Sequence, residues 1–264
     1  MSRLKVATLG DRSWRTVKQT LVIASVLVLW QLVPSWGWVD YRTLPPLTDV
    51  IQGFIELMVS GKLFIYALAS FKRAFAGFAL AILLGIPLGF FMGWFKRVER
   101  VFDPVVQLFR NTATLALYPV FLLIFGLGEL SKIGIIFYGC LWPILINTID
   151  GVRLIDPLLI KSARSMAVPV VSLFTKIILP ASIPSIITGL RLSATHSIVV
   201  LVSAEILGSD SGLGFLIFEA RDRYDAPAMY SGIIIISVLG LILNYTIVQF
   251  EKLLTYWKPK MDNS

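Results

Sequence analysis

Six apolar runs constrain this chain more than any other feature of its sequence. A helix needs roughly 20 apolar residues to cross a hydrocarbon layer of about 30 Å, and the runs approach or exceed that length. Because hydrocarbon offers no partner for a backbone N–H or C=O, such runs are expected to form helices. The sequence therefore predicts an all-α integral membrane protein with about six transmembrane helices. The runs cover residues 21–36, 66–95, 105–126, 133–150, 183–207 and 229–250.

Composition agrees with this fold class. Hydrophobic residues make up 56% of the 264 residues and charged residues 15%, whereas soluble domains carry about a quarter charged residues. The net charge of +8 does not predict nucleic-acid binding, because the basic residues lie between apolar runs, where they orient a membrane protein. The single cysteine, Cys140, lies inside an apolar run and is predicted to serve packing.

The distribution of basic residues predicts the topology. With the N-terminus inside, the two chain ends and the loops 96–104 and 151–181 hold fifteen Lys and Arg, and the segments assigned outside hold five. Because cytoplasmic segments carry the excess of Lys and Arg, both termini are predicted to be cytoplasmic. We expect a cytoplasmic tail at 1–20, a single transmembrane domain at 21–252 and a second cytoplasmic tail at 253–264.

Length and polarity predict two further details of the membrane arrangement. Residues 41–62 mix apolar and charged side chains, which favours a short amphipathic helix along the outer surface. The second run has 30 residues and would form a helix of about 45 Å, longer than the hydrocarbon layer is thick. Its first turns, with Lys72 and Arg73, are therefore predicted to project toward the interface, where both side chains can snorkel.

Glycines and alanines recur every four residues within the second run. This spacing places small residues along one helix face, where another helix can approach closely. Two interpretations remain open: a seam that shears during a conformational cycle, and static packing. Pro87 lies within the strip and predicts a kink, since proline removes one backbone donor. The strip consists of Gly77, Ala81, Gly85, Gly89 and Gly93, and its four glycines are the candidate helix-packing residues.

The chemistry of a catalytic centre is missing from the sequence. One histidine and one cysteine cannot form a His- or Cys-based metal site. The sequence contains no G-x-x-x-x-G-K-[ST] motif, so it predicts no ATP site of the P-loop type. The group Gly208, Gly212 and Gly214 follows a span rather than a strand, and is predicted to be a turn. We expect a non-catalytic chain without a metal or a cofactor of its own.

Polar side chains at membrane depth are candidates for a translocation path. Such groups are costly in hydrocarbon and usually face a bundle interior or a water-filled path. Each also has a structural alternative: Arg110 and Arg191 could snorkel, Asn147 and Glu205 could pair locally, and His196 could be a hydrogen-bonded packing residue. The candidates are Arg110, Asn111, Asn147, Arg191, His196 and Glu205.

The loop 151–181 is longer than a simple connection requires. Asp156 and Pro157 favour a helix start, with Asp as the N-cap and Pro at the first helical position. This helix is expected to reach about Ala167, before Pro169 stops it. Ser172 is predicted to cap a second helical stretch, which Leu179, Pro180 and Pro184 turn back into the membrane. The sequence therefore predicts a structured docking surface.

The same loop resembles a known signature. In the permeases of type I ATP-binding cassette (ABC) importers, E-A-A is followed by three residues, a Gly, and about eleven residues that end in I-x-L-P. The matching residues here keep the spacing but depart at three positions, Lys161, Ser162 and Ala167. The change to Lys161 reverses a charge. The matching residues are Lys161, Ser162, Ala163, Ala167, Ile177, Ile178, Leu179 and Pro180.

Other stretches resemble the nitrate, sulfonate and taurine group of these permeases. They include F-G-L-G-E-L-S-K at 125–132, which the nitrate and bicarbonate branch lacks, and G-L-R at 189–191. The stretch L-F-R-N at 108–111, with L-A-L at 115–117, is most similar to aliphatic sulfonate permeases. The group usually has a Pro shortly after the Arg-Asn pair, whereas this chain has Thr-Ala-Thr at 112–114.

The resemblance implies the type I ABC importer permease fold and a transport role in the bacterial inner (plasma) membrane. Implied partners are a second copy of the chain, two cytoplasmic ABC ATPase subunits that bind ATP and Mg, an external solute-binding protein, and the lipid bilayer. The implied solute is a small anion, best matched by an aliphatic sulfonate or taurine-like compound; nitrate, bicarbonate and other small organic solutes are alternatives. The loop residues expected to couple to the ATPase are Asp156, Leu158, Leu159, Lys161, Ser162, Ala163, Arg164, Met166, Ala167, Leu179 and Pro180.

Two other classes of membrane protein would require features that differ from those of a transporter subunit. A self-sufficient channel or secondary carrier should show paired intramembrane acids or broken helices in repeated halves. An intramembrane enzyme should show a paired nucleophile and base. The sequence shows none of these features, and a transporter subunit that needs partners is the favoured hypothesis.

Overall fold

The computed structural model describes the backbone of residues 3–254 and the side chains of Trp14 and residues 18–251. All regular structure in this part of the chain is helical, which confirms the predicted class. The last residues of the predicted C-terminal tail, 255–264, lie outside the described residues. The helices are α1 (Arg3–Ser35), α2 (Leu47–Val59), α3 (Lys62–Trp94), α4 (Lys96–Asn111), α5 (Tyr118–Phe125), α6 (Glu129–Arg153), α7 (Pro157–Ser165), α8 (Val170–Leu173), α9 (Leu179–Gly208), α10 (Leu213–Asp222) and α11 (Ala226–Leu254).

Within the described residues, five helical stretches are long and apolar enough to cross a membrane, and a bent pair of helices could form a sixth. The number of spans predicted from the apolar runs is thereby confirmed. The five stretches are Lys18–Ser35, Lys62–Trp94, Glu129–Arg153, Val170–Gly208 and Ala226–Glu251.

The third predicted run is not one continuous helix. Helix α4 ends at Asn111, and the next helical segment, a 3₁₀ turn at Thr114–Leu117 followed by α5, is bent from it by 90°. Thr112 and Ala113 are extended, with ψ of 129° and 110°, so the chain turns without a proline or a glycine. The apolar run at 105–126 therefore does not form one continuous helix, because two extended residues separate α4 from the next segment. Among described helix pairs that are together apolar enough to span a membrane, this is the one bent by more than 40°.

The chain divides into two compact units. One combines the residues up to Leu63 with Leu216–Ile233. Here α2 is the predicted amphipathic helix, and it buries Val50, Gly53 and Leu57 at helical spacing. Ser231 Oγ donates a hydrogen bond to the carbonyl oxygen of Val50 at 2.9 Å. A Cβ atom on Gly53 would lie 3.1 Å from Cβ of Pro227, so α2 packs closely on the start of α11.

The other unit comprises Phe64–Phe215 and the chain from Ile234 onward. Its core lies between α6 and α9, where Ile144 and Leu201 are buried. Cys140 is fully buried there, and Ser193 Oγ donates to its carbonyl oxygen at 2.7 Å. The prediction that Cys140 serves packing is confirmed.

The strip of small residues on α3 faces α6. A Cβ atom on Gly77 would lie 2.6 Å from Cγ2 of Ile136, and one on Gly89 would lie 2.6 Å from Cβ of Thr148. At Gly93 the distance to Cβ of Val152 would be 2.8 Å. Real Cβ atoms do not approach other atoms so closely, so glycine at these positions allows the two helix backbones to come together. Helix α3 continues through Pro87 to Trp94.

Residues 170–208 form one almost uninterrupted helical stretch. It begins at Val170 after Pro169, not at Ser172, and passes through a π-helical turn at Phe174–Ile178 into α9. Pro180 has no N–H to offer the carbonyl group one turn earlier, and π-helical turns accommodate such irregularities. The predicted cap at Ser172 was therefore wrong by three residues, since the helix is capped at Pro169.

Candidate functional sites

Helix α7 starts as the sequence predicted. Oδ1 of Asp156 accepts a hydrogen bond from the backbone N–H of Leu158 at 2.8 Å, and Pro157 occupies the first helical position. The aspartate satisfies one of the unpaired N–H groups at the helix start, and the proline has no N–H to satisfy. Only three residues, 154–156, thus separate the end of α6 at Arg153 from the start of α7 at Pro157.

Helix α7 ends in a left-handed residue. Ala167, two residues after the last helical residue, has a φ of 52°. Its N–H donates a hydrogen bond to the carbonyl oxygen of Arg164 at 3.0 Å, and the N–H of Val168 donates one to the carbonyl oxygen of Ala163 at 3.1 Å. This pair of bonds is the Schellman arrangement, which normally places glycine at the left-handed position. The signature that the loop resembles has a glycine at this position, and the backbone supplies the physical reason.

One side of α7 is packed and the other is open. Ala163 is buried in a cluster with Phe90 of α3 and Ile178 and Ile186 at the start of the return helix. The side chains of Leu158, Leu159 and Met166 are exposed by 66%, 54% and 78%. Large apolar side chains so exposed at one end of a membrane domain mark an interaction surface.

The remaining residues of the predicted coupling set surround this helix. Lys161, Ser162 and Arg164 are exposed on α7. Leu179 and Pro180 begin α9 directly after the π-helical turn. The predicted set therefore lies on two elements, the exposed and capped helix α7 and the half-buried start of α9.

The six candidate path residues lie on three helices. Arg110 and Asn111 end α4 and are exposed, and His196 is exposed on α9. Asn147 is half-buried and donates to the carbonyl of Pro143 at 2.8 Å, one helical turn earlier. Arg191 forms an ion pair with Glu251. Among the described residues no hydrogen bond or ion pair joins any two of the six, and their role in a path stays a prediction.

Arg73 does not snorkel: its side chain is only 2% exposed. Nε and Nη2 donate to the two carboxylate oxygens of Glu129 at 2.7 and 2.6 Å, and Nη1 donates to Glu205 at 2.8 Å. Ser211 accepts the remaining two bonds, at its carbonyl oxygen and its hydroxyl. All five donors of the guanidinium group therefore have acceptors. The prediction of snorkelling was wrong for Arg73, because its guanidinium group is bound between the buried Glu205 and Glu129, whose side chain is 57% exposed.

Glu205, the other end of this network, is fully buried. Its carboxylate accepts hydrogen bonds from Ser70 Oγ at 2.8 Å and from the backbone N–H of Gly214 at 2.8 Å. A Cβ atom on Gly212 would lie 2.3 Å from its Oε1, so the loop can wrap the carboxylate only with glycine there. Gly212 has a φ of 115°, which confirms the predicted turn, while Gly214 lies in α10.

Sequence reasoning singled out Glu205 but missed its partners. A carboxylate at membrane depth requires a cation, and Arg73 lies at similar depth on another apolar run. Glu129 was noted only within the F-G-L-G-E-L-S-K stretch. The three residues are separated by 56 and 76 positions along the chain, so no local pattern joins them. We call Ser70, Arg73, Glu129, Glu205 and Ser211 the buried charge network.

Comparisons with known proteins agree with one another. Residues 85–256 match the family model described as binding-protein-dependent transport system inner membrane component. A protein of Bacillus subtilis (strain 168) named as an aliphatic sulfonates transport permease, SsuC, is 36% identical over 94% of this chain and 90% of its own length. The Escherichia coli (strain K12) taurine transport system permease TauC is 28% identical over 89% of this chain and 87% of its own.

A solved structure shares the fold. The MetNI methionine ABC transporter in an inward-facing conformation superposes with a TM-score of 0.63 at 16% identity, covering 76% of this chain and 97% of the MetNI chain. At this identity the likeness concerns the fold alone.

Proposed function

Since this chain belongs to the binding-protein-dependent transport system inner membrane component family and is an ABC importer permease, we propose that it translocates a small anionic solute, with aliphatic sulfonates and taurine-like compounds as the best candidates. The protein is a multi-pass component of the inner membrane. Relatives named for aliphatic sulfonates and for taurine support the substrate class. A relative of Halalkalibacterium halodurans named for formylaminopyrimidine keeps other small organic solutes as alternatives. Nitrate and bicarbonate stay alternatives on the family resemblance alone.

The proposed assembly has two copies of this chain, two cytoplasmic ABC ATPase subunits and one external solute-binding protein. ATP and Mg bind to the ATPase subunits, and this chain contributes neither a cofactor site nor a catalytic residue. The missing P-loop motif supports this division of labour. Both termini face the cytoplasm in this arrangement, as the distribution of basic residues predicts.

The observation that carries the proposal is the geometry of α7. The helix is fixed at both ends, by the Asp156 cap and by the two bonds around Ala167, yet it presents Leu158, Leu159 and Met166 to the outside. A helix with capped ends and an open apolar side can enter a groove of a partner protein at a small entropic cost.

The packing of α7 supports a role in transmission. Ala163 contacts the cluster that holds the ends of α3 and α6 and the start of the return helix. A displacement of α7 by the ATPase subunits would therefore move the spans that are joined to it. Nucleotide binding to the ATPase subunits would favour one packing of the membrane helices, and nucleotide release would favour another. A contact at α7 would in this way shift a two-state equilibrium of the whole bundle.

Co-purification tests the docking surface. The double variant Leu159→Asp with Met166→Asp should lose the ATPase subunits, because two carboxylates would have to be buried in the groove. A matched control changes two equally exposed apolar residues elsewhere, Val59→Asp with Leu127→Asp, each exposed by 83% in the parent. Retention of the ATPase by the first variant, or equal loss in both, contradicts the proposal.

Lys161 gives a second test of the same surface. Lys161→Glu restores the acid of the signature. Weaker assembly in this variant would identify an acidic partner on the ATPase opposite Lys161, whereas stronger assembly would identify a basic one. Lys176→Glu changes the same charge on the π-helical turn and serves as the control.

Transport assays test the substrate class. Uptake of labelled taurine and of a short alkane sulfonate should depend on this chain and should compete with each other. Uptake of nitrate that excess sulfonate leaves unchanged would contradict the proposed solute while leaving the permease assignment intact.

A further inference from the structure

We propose that a basic cleft between α4 and α7 binds a phosphate group, supplied by an anionic phospholipid or by a soluble phosphate. The cleft has a volume of about 920 Å³ and lies in the second unit. Its charged lining residues are Lys96, Glu99, Arg100, Asp103, Arg153, Lys161 and Arg164. This site lies beside the proposed coupling surface, and its existence does not depend on ATPase docking.

The position of the cleft favours a ligand at the level of lipid headgroups. Gly93 and Trp94 line it at the end of α3, and Val152 and Arg153 line it at the end of α6. Two membrane spans thus end at its wall. Tryptophan is enriched where a span meets the headgroup layer, and phosphates of phospholipids lie at that depth.

Within the described residues, the basic side chains that line the cleft outnumber the acidic ones. Glu99 forms an ion pair with Arg153 at 2.9 Å, and Asp103 accepts a hydrogen bond from the side chain of Gln107 at 3.2 Å. No acidic side chain of the described chain lies within 4 Å of the cationic groups of Lys96, Arg100, Lys161 or Arg164. Basic pockets between membrane helices bind anionic headgroups through such a surplus of Lys and Arg.

Helix α4 contributes four of the charged lining residues. Lys96, Glu99, Arg100 and Asp103 follow one another at helical spacing and line the cleft. Further along, α4 runs beside α6 into the bundle: Val106 packs with Leu145 and Ile149, and Tyr138 Oη donates a hydrogen bond to the carbonyl oxygen of Phe109 at 2.7 Å. The charged side chains therefore lie at the start of a span, where anionic headgroups are within reach.

Lys161 gains a function in this proposal. It stands where the permease signature has an acid, and its side chain lines the cleft together with Arg164, one helical turn closer to the C-terminus. A glutamate at this position would lower the charge of the cleft by two units. The departure from the signature therefore adds a cation to the proposed phosphate site.

Binding to the purified chain without ATPase tests the proposal. The probes are a short-chain phosphatidylglycerol, a matched phosphatidylcholine and inorganic phosphate, added to the full chain in neutral detergent. We expect phosphatidylglycerol to bind more tightly than phosphatidylcholine. Lys96→Gln with Arg100→Gln should weaken this binding roughly 10- to 30-fold, since each cation near an anionic headgroup contributes about 1 kcal/mol. Lys161→Gln with Arg164→Gln should weaken it similarly from the α7 side.

Arg221→Gln with Arg223→Gln is the matched control, because both arginines are exposed and lie on another part of the chain. If inorganic phosphate binds tightly and the two cleft variants weaken its binding, the natural ligand is a soluble phosphate and not a lipid. Equal binding in the parent and in both cleft variants overturns the proposal. Equal binding of phosphatidylglycerol and phosphatidylcholine by the parent, with no binding of inorganic phosphate, also overturns it.

Discussion

The guanidinium of Arg73 binds the carboxylate of Glu205 inside the protein, with 2.8 Å between Nη1 and Oε1, and both side chains are almost inaccessible to solvent. Residues of three separate helices meet there, because Glu129 begins α6 and binds the other side of the same guanidinium group. The buried charge network thus joins α3, α6, α9 and the turn that follows α9.

Removal of the arginine should destabilise the protein strongly. In Arg73→Met, Glu205 would remain buried without its cation, and breaking a buried pair in this way costs roughly 3–5 kcal/mol. Thermal unfolding in detergent measures the loss. The double variant Arg73→Met with Glu205→Gln removes both charges and should recover part of the stability. A double variant less stable than Arg73→Met would contradict this account of the network.

Gly212→Ala should also be severely destabilising. The new methyl group would lie 2.3 Å from Oε1 of Glu205 at a φ of 115°, so the turn would have to move off the carboxylate. Gly126→Ala is the control, because Gly126 has a φ of 76° but open space around its missing Cβ atom. That change should cost only the backbone strain of this glycine conformation, about 1–3 kcal/mol. Similar losses in the two variants would show that the close approach to Glu205 is unimportant.

Ala167→Gly should stabilise the protein. Ala167 has a φ of 52°, a conformation that costs an L-residue about 1–2 kcal/mol, and the greater freedom of glycine in the unfolded chain offsets roughly 0.4–1 kcal/mol. We expect a net gain of about 0.5–1 kcal/mol, visible as a higher midpoint of thermal unfolding. Ala163→Gly should have the opposite effect, because Ala163 is buried within α7. A lower midpoint for Ala167→Gly would contradict the left-handed end of this helix.

The small-residue strip predicts a graded series. Gly77→Ala and Gly89→Ala would each place a methyl group 2.6 Å from a side chain of α6, whereas at Gly85 the nearest atom is 3.0 Å away. Overpacking typically costs about 1–3 kcal/mol, so the first two variants should lose more stability than Gly85→Ala. Gly128→Ala, with nothing within 4 Å of the new atom, is the control. Equal stability of all four variants would exclude close packing of α3 on α6.

Local features of the fold could be predicted because their causes are local. The spans follow from apolar length, and the start of α7 follows from Asp156 and Pro157 alone. The close approach of α3 and α6 was visible in the spacing of four glycines. The glycine of the signature aligns with Ala167, whose left-handed conformation was not predicted.

The missed features depend on distant parts of the chain or on weak local signals. Arg73 looks like a snorkelling residue until Glu129 and Glu205 are brought beside it by the packing of three helices. The break at Thr112 and Ala113 has no proline or glycine to mark it. Leu179, Pro180 and Pro184 were expected to turn the chain back into the membrane, yet the helix continues through them after one π-helical turn.

The central claim is that this chain forms the transport path but requires an ATPase to drive it. Reconstitution in sealed vesicles with the ATPase subunits, the solute-binding protein and a labelled sulfonate tests this directly. The account predicts uptake only when this chain, the ATPase, the binding protein and ATP are all present, and no ATP hydrolysis by this chain alone. Uptake by this chain without the ATPase, driven only by an ion or solute gradient, would contradict it.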